Sequence, residues 1–206
     1  PGRDSATERL QYWGALPGLD AGVAPDWPKV DGLRVFAYLK PRARDFDAML
    51  TALKALPVAV AVHAPGLSVA AQRQHLAANL RFHAQPLRMA DVLAQASLGI
   101  CHAGAGTTQA LLIAGIPALL LPEHLEQMMT ARRAADLGAA LVVDPDKPPP
   151  NFKRLLQRLL GEPAFGTAAR ALQARHAADD PAVRLAAVVD RLVDWLPGGA
   201  ARRPAG

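Results

Sequence analysis

The segment His102–Thr108 has the composition of an anion-binding loop. It follows the apolar run Leu98–Cys101, which predicts a buried strand, and precedes a helical pattern over Gly106–Ala114. In an open parallel sheet, ligands bind at the carboxyl ends of the strands, where loops of this kind lie. The start of a helix also presents free N–H groups and the positive end of its dipole.

Each residue type in this loop suits a diphosphate. The two glycines lack a Cβ, so the backbone can approach a ligand closely. The threonine hydroxyls can donate hydrogen bonds, and the histidine can donate one or carry charge. The residues that we assign to the diphosphate are His102, Gly104, Ala105, Gly106, Thr107 and Thr108.

A simpler interpretation of the same loop is structural. Gly104 and Gly106 could merely close a tight turn between strand and helix, with Thr107 as the helix N-cap. Short glycine motifs occur in both settings, so the Gly-x-Gly pattern alone does not decide between them.

The elements around this loop alternate between strands and helices, which is typical of βαβ units and a parallel sheet covered on both faces. We therefore expect an α/β fold, namely a doubly wound, Rossmann-like parallel sheet of about six strands with a C-terminal helical extension. The predicted strands are Leu33–Leu39, Val58–Val62, Leu80–His83, Leu98–Cys101, Ala118–Leu121 and Ala140–Val143. Predicted helices include Leu125–Leu137, closed by Gly138, one that starts after an N-cap at Ser68, and three at Asn151–Leu160, Ala164–His176 and Ala182–Leu196.

Composition limits the other classes of function. The net charge is +5, but the basic residues are scattered and only 5% of the residues are aromatic, so a solvated basic surface is favoured over nucleic-acid binding. No apolar run approaches the length of a membrane span. The lone cysteine, Cys101, excludes an internal disulfide and fits a cytoplasmic protein. The abundance of Ala and Arg fits a GC-rich, bacterial genome.

The motifs that follow the loop extend the pattern. After His102–Thr108 come Gly115-Ile116-Pro117, an apolar strand, and then Pro122 and Glu126-Gln127. This order and spacing resemble the donor-binding segment of UDP-glycosyltransferase-like enzymes with the GT-B fold. The resemblance covers Tyr12 to Trp195 and is strongest from Ala96 to Gly138.

The resemblance implies that the chain is the C-terminal, nucleotide-sugar-binding half of a two-domain glycosyltransferase. Residues 1–30 would be the interdomain linker, 31–196 the Rossmann-like donor domain and 197–206 a flexible tail. The donor would be a UDP- or dTDP-sugar, with no further cofactor. The catalytic base and the acceptor site would belong to the N-terminal domain of the same protein, so this chain alone should bind and not catalyse. Its last helix would brace that domain, and exposure of this helix could cause self-association.

The resemblance also implies roles for residues outside the diphosphate loop. Glu126 and Gln127 would bind hexose hydroxyls. The alternative is that they are ordinary first-turn residues of a helix, but their position relative to the diphosphate loop favours the sugar role. The ribose would lie beside Gln109 and Ala110, where the family commonly has a glutamate. The base would lie along the loop Phe82–Met89, for which we nominate Phe82, Pro86, Leu87 and Met89.

Three departures from the family pattern bear on function. Ala110 replaces the ribose glutamate, no aromatic residue is evident for stacking on the base, and the loop after the first strand contains Lys40 and Arg42 instead of a small hydroxyl residue. Lys40 could supply a cation to the phosphates, with Arg42 as a second possibility. Both could equally be solvated loop charges.

The remaining histidines do not indicate a metal site. His63 and His83 end predicted strands and are interpreted as hydrogen-bonded structural residues, and no histidine has metal-ligand spacing with Cys, Asp or Glu. Two other functions stay open. One is a degenerate, non-catalytic sugar-nucleotide-binding or partner-binding module. The other is a NAD-dependent dehydrogenase, in which Glu123 would bind the ribose, although Gln109 replaces the third motif glycine.

Overall fold

The computed structural model describes residues 21–178 and 180–195. The chain divides into two compact units. One unit, Leu19–Ala177, contains the whole sheet and is described first. The other comprises Pro1–Gly18 and Ala178–Gly206, of which the described part is essentially one helix. The predicted tail and most of the predicted linker lie outside the described residues.

The first unit is built on a six-stranded sheet, as predicted. All five strand pairs are parallel, and the strand order is β3-β2-β1-β4-β5-β6. The strands are β1 Leu33–Tyr38, β2 Val58–His63, β3 Leu80–His83, β4 Leu98–Cys101, β5 Ala118–Leu120 and β6 Ala140–Val142. The register places Tyr38 beside His63, and His63 beside His83, so these strands end along one line. The loops at this carboxyl edge contain most of the predicted site.

Eight helices occur in the described residues. They are α1 Phe46–Lys54, α2 Val69–Gln74, α3 Met89–Leu93, α4 Ala105–Ile113, α5 Leu125–Asp136, α6 Phe152–Gly161, α7 Pro163–His176 and α8 Pro181–Trp195. The predicted N-cap at Ser68 is confirmed, because its hydroxyl accepts a hydrogen bond from the N–H of Ala71 at 3.2 Å. Gly138 follows α5 with a φ of 75°, the left-handed conformation that favours glycine after a helix.

The two faces of the sheet are packed differently. On one face, Val60, Ile100 and Leu119 pack under α1 and α6 and form the first core. On the opposite face, the small residues Ala61 and Ala118 lie beside the larger Phe36 and Leu120, and α4 packs there against α5 and α7 to form the second core. Small side chains allow a helix to lie close to the sheet. This close approach fixes α4, and with it the C-terminal part of the diphosphate loop.

The residues before β1 contact the sheet unit. Val23 bridges to Leu87, Trp27 packs at the second core, and the guanidinium of Arg34 lies 5.6 Å from the Trp27 ring. This part of the predicted linker is therefore ordered by the domain that it precedes. In the other unit, α8 exposes Val183, Leu185, Val189 and Leu192. No helix in the described ranges combines the length and apolar character that a membrane crossing needs.

Candidate donor site

The diphosphate loop joins β4 to α4 and leaves helix donors unpaired. Gly104 is the N-cap of α4, and no side chain caps the helix. The first helical hydrogen bond runs from the N–H of Thr108 to the carbonyl oxygen of Gly104 at 3.0 Å. The N–H groups of Ala105, Gly106 and Thr107 therefore lack partners among the described residues. Three donors at the positive end of a helix are the elements of an anion site.

The two glycines of this loop leave open space above the helix start. A Cβ placed on Gly104 or Gly106 would meet no atom within 4 Å. Gly104 has a φ of −61° and a ψ of 135°, which any residue adopts. The left-handed residue is instead Ala103, fully buried with a φ of 57°. The tight-turn interpretation, with Thr107 as N-cap, is therefore wrong: the turn falls on Ala103, the N-cap is Gly104, and the fold does not need either glycine.

His102 is buried, and both of its ring nitrogens have backbone partners. Nε2 lies 3.0 Å from the N–H of Lys40, and Nδ1 lies 3.0 Å from the carbonyl oxygen of Leu121. Because the first nitrogen accepts and the second donates, these partners fix a neutral imidazole. Burial lowers the pKa of His102, and the nearby Glu123 carboxylate opposes this shift. The expectation that His102 donates to a phosphate or carries charge is corrected here, since its ring ties the end of β4 to the segments after β1 and β5.

The two threonines of the loop have different environments. Thr108 is 1% exposed, and its hydroxyl lies 3.7 Å from the Cys101 sulfur, inside the second core. Its predicted contact with the diphosphate is therefore not available, because the helix turns this side chain toward the sheet. Thr107 is partly exposed, so its hydroxyl is the one that can reach a ligand. Burial raises the pKa of the Cys101 thiol, which acts as a small core residue.

Lys40 lies at the carboxyl edge, as predicted, but it has a partner. Its ammonium group forms an ion pair with Glu123, which follows β5. Both side chains are a little over one-third exposed, and a Glu123 oxygen lies 3.9 Å from Nδ1 of His102. Arg42 is exposed and has no ion-pair partner among the described residues. From the sequence, Glu123 was assigned only to the ribose site of a possible dehydrogenase. Its position shortly after β5, at the edge of the sheet where ligands bind, was the signal that could have identified it.

These charges line a cleft of about 240 Å³. Its walls come from the loops after β1, β5 and β6, together with His102. Arg44 and Asp45 also line the cleft, but Asp45 is buried and two hydrogen bonds of 2.9 and 2.8 Å join the pair. Arg44 also donates to the carbonyl oxygens of Pro145 and Lys147, so this pair is held by more contacts than a single ion pair provides. The ionic groups that a ligand could recruit are therefore Lys40, Arg42 and Glu123.

The predicted sugar and ribose residues lie on the helices that border this edge. Gln127 is buried, and its side-chain oxygen accepts a hydrogen bond from the N–H of Glu123 at 2.9 Å. Its amide NH₂ has no partner among the described residues and remains available to a sugar. Glu126 is exposed at the start of α5. Gln109 is exposed and Ala110 is half-buried on α4, just after the diphosphate loop.

The predicted base loop is more ordered than expected. Met89 begins the short helix α3, which the sequence analysis did not predict, and Leu87 is buried in the second core. The carbonyl of Pro86 accepts from the N–H of Val23 at 2.9 Å. Phe82 packs against the first core, so its role as a stacking residue is not supported. The N–H and carbonyl of Leu87 lack partners among the described residues. They leave one hydrogen-bond donor beside one acceptor on the same residue.

The histidines that end β2 and β3 are hydrogen-bonded, as predicted. Nδ1 of His63 lies 3.2 Å from the carbonyl oxygen of His83, and Nε2 of His83 accepts from the N–H of Asp26 at 3.0 Å. The ring of His63 also stacks on Tyr38 with centroids 5.6 Å apart. Burial lowers the pKa of His83. These contacts give both residues a structural role.

A doubly wound parallel sheet with an uncapped helix start at its carboxyl edge is typical of the class of nucleotide-binding α/β domains. The family described as the erythromycin biosynthesis protein CIII-like C-terminal domain matches residues 48–197. The chain belongs to this family, and its fold is that of GT-B glycosyltransferase C-terminal domains. The match supports a glycosyltransferase and gives no support to a dehydrogenase.

Individual relatives agree with this assignment. The chain is 42% identical over 83 residues to the elloramycin glycosyltransferase ElmGT of Streptomyces olivaceus, covering 40% of this chain and 20% of that protein. It is 26% identical over 200 residues to the aklavinone 7-beta-L-rhodosaminyltransferase of Streptomyces galilaeus, covering 92% of this chain and 45% of that protein. The chain thus spans less than half the length of these relatives.

Solved structures show the same fold. Glycosyltransferase VinC, solved in complex with dTDP, superposes with a TM-score of 0.65 at 26% identity, covering 76% of this chain and 41% of VinC. The spinosyn rhamnosyltransferase SpnG gives a TM-score of 0.69 at 22% identity, covering 90% of this chain and 53% of SpnG. The similarity again concerns about half of each larger enzyme.

Proposed function

We propose that this chain binds the nucleotide-diphosphate-sugar donor of a glycosyltransferase, with a UDP- or dTDP-sugar as donor. The observation that carries the proposal is the start of α4. There, the unpaired N–H groups of Ala105, Gly106 and Thr107 face open space that two glycines leave clear. A diphosphate placed there would receive charge-assisted hydrogen bonds from the backbone and from Thr107.

The other site residues complete this proposal. Lys40 would turn from Glu123 to the diphosphate, with Arg42 as a second cation in the cleft. His102 would act through its ring contacts, because it holds the backbone of Lys40 in place. Glu126 and the amide NH₂ of Gln127 would bind hexose hydroxyls.

Base recognition would use the backbone of Leu87. Its free N–H and carbonyl can pair with the O4 and N3–H of thymine or uracil, which are an adjacent acceptor and donor. Cytosine presents the opposite order at these positions. We therefore expect dTDP and UDP to bind more tightly than CDP in calorimetry. Equal binding of all three nucleotides would exclude Leu87 as the base contact.

In glycosyl transfer, this site would stabilise the departing nucleoside diphosphate through preorganised donors. The general base that deprotonates the acceptor hydroxyl would come from the N-terminal acceptor domain. We therefore propose that the full-length protein transfers a hexose, while this chain alone binds the donor without transfer. A cytoplasmic, bacterial origin is part of the proposal and is supported by the free thiol of Cys101 and by the Streptomyces relatives.

Replacement of the loop glycines tests the diphosphate site. Gly104→Val or Gly106→Val would place methyl groups where a phosphate must approach, and a Cβ at either position would meet no protein atom within 4 Å. We expect dTDP affinity to fall at least about tenfold, or ~1.4 kcal/mol, because donor bonds to a charged group are displaced. Thr107→Val should cost less, since it removes one hydroxyl and keeps the shape.

Calorimetry of the parent and the three variants measures these effects, with circular dichroism to confirm that each is folded. Glycine variants that bind dTDP like the parent would place the phosphate site elsewhere. A degenerate module is the second candidate, favoured by Ala110 and by the ion pairing of Lys40. Absence of dTDP and UDP binding in the folded parent would favour that candidate.

A further inference from the structure

The carboxylate of Glu123 has no role in the proposed contacts, although it lies among them. It forms an ion pair with Lys40, and its backbone N–H donates to the side chain of Gln127 at 2.9 Å. It therefore lies between the cation proposed for the diphosphate and the residue proposed for the sugar. About one-third of its side chain is exposed, in the 240 Å³ cleft.

Donor binding would change the electrostatics of this carboxylate. In the ligand-free chain, Lys40 neutralises Glu123. A diphosphate brings at least two negative charges and attracts Lys40, so Glu123 would lose its partner beside a dianion. Partial burial weakens solvent screening there, which makes two like charges costly. A ligand cation near Gln127 would remove this cost.

We propose that Glu123 is a specificity residue that selects donors whose sugar carries an ammonium group. On donor binding, Lys40 exchanges Glu123 for the diphosphate, and the sugar ammonium takes the place of Lys40 on the carboxylate. The inference rests on the proposed donor site and deepens it by naming the class of sugar. Arg42, which also lines the cleft, is the alternative cation and is distinguished by the experiment.

The test compares three probes by calorimetry: dTDP, dTDP-glucose, and dTDP-4-amino-4,6-dideoxyglucose. The parent should bind the amino sugar at least about fivefold more tightly than the neutral sugar. Glu123→Gln should bind both sugars equally and should bind dTDP at least as tightly as the parent. Glu123→Asp, which keeps the charge on a shorter side chain, should retain part of the preference. Asp146→Asn removes one exposed charge from the loop after β6 and serves as the matched control, which should keep the full preference.

Each outcome has a definite meaning. If the parent binds dTDP but does not distinguish the two sugars, this inference fails and the proposed donor site stands. The same holds if the preference survives in Glu123→Gln, as it would if a carboxylate other than Glu123 bound the ammonium group. An absent preference in the parent is the result expected if Arg42 supplied the compensating charge. If the folded parent does not bind dTDP at all, the proposed function and this inference both fail.

Discussion

At the residue scale, the site depends on hydrogen bonds to backbone atoms, which cannot be predicted from residue types alone. His102 occupies a position typical of a phosphate ligand, but its ring nitrogens contact the backbone of Lys40 and Leu121. A buried neutral imidazole with one donated and one accepted hydrogen bond is satisfied without a ligand. Its contribution to ligand binding is then indirect, because it holds in place the segments that contain Lys40 and Leu121.

This environment predicts a pH dependence of stability. Burial lowers the folded-state pKa of His102 and of His83. The unfolded chain therefore takes up these protons first as the pH falls below about 6.5, and the free energy of unfolding decreases there. Above that pH both states are neutral at these sites, and this contribution is constant. Urea unfolding between pH 5 and 8 measures the slope.

His102→Asn should lower stability at pH 8 and reduce the slope below pH 6.5. His124→Gln, at an exposed histidine with no side-chain cap bond, is the control and should leave the slope unchanged. An unaltered slope in the His102 variant would show that its imidazole is not the titrating group.

Ala110 provides a second test at this scale. Ala110→Glu restores a carboxylate beside the proposed ribose site on α4. If the ribose lies there, UDP affinity should rise several-fold, because a carboxylate accepts charge-assisted bonds from both ribose hydroxyls. The gain should be smaller for dTDP, whose sugar lacks the 2′-hydroxyl. Calorimetry with both nucleotides, and with Ala110→Gln as the uncharged control, checks this; equal gains for UDP and dTDP would contradict the ribose contact.

At the scale of elements, close contact between β4 and α4 positions the diphosphate loop. A Cβ on Gly99 would lie 2.3 Å from a methyl carbon of Leu111, which is fully buried. Gly99 thus allows the helix to lie near the sheet, while Gly104 and Gly106 leave space for a ligand. Gly99 is therefore required for packing, whereas Gly104 and Gly106 would be required only for ligand access.

Gly99→Ala tests this packing. Forcing a methyl group into a filled core typically costs ~1–3 kcal/mol, and we expect a loss of that size in the free energy of urea unfolding. Gly161→Ala is the matched control, since a Cβ there meets no atom within 4 Å at the end of α6. The control should be neutral or slightly stabilising. A Gly99 variant as stable as the parent would show that Leu111 moves without cost.

Most of the strands and helices could be predicted from the sequence. The six strands are confirmed, with ends that differ by at most one residue, because apolar runs bounded by polar residues mark buried strands. The helix α3 was missed because five residues show little periodicity. The pairing of Lys40 with Glu123 could not be predicted, since it joins side chains 83 positions apart on two different loops. The partners of His102 could not be predicted either, because they are backbone atoms and do not depend on the residue types at positions 40 and 121.

At the scale of the whole molecule, the chain matches only part of each larger relative. It spans 41% of VinC and 45% of the aklavinone transferase, and an apolar surface that it exposes to solvent is a candidate for contact with another chain or domain. The clearest such surface in the described residues is on α8. Leu185, Val189 and Leu192 recur there at spacings of four and three residues and share one exposed helix face.

This exposed face predicts that the chain self-associates. Apolar stripes without a partner drive association of chains in water, so light scattering should show species larger than a monomer at concentrations of tens of micromolar. Val189→Lys with Leu192→Lys should shift the chain toward the monomer, because two desolvated charges oppose the contact. The control is Val69→Lys at the start of α2 with Leu76→Lys just after it, which removes two even more exposed apolar side chains from another surface and should leave association unchanged. A parent that stays monomeric throughout, or a control that dissociates as readily as the α8 variant, would show that α8 is not the contact. The dTDP affinity should be the same in both variants, since neither pair belongs to the proposed donor site.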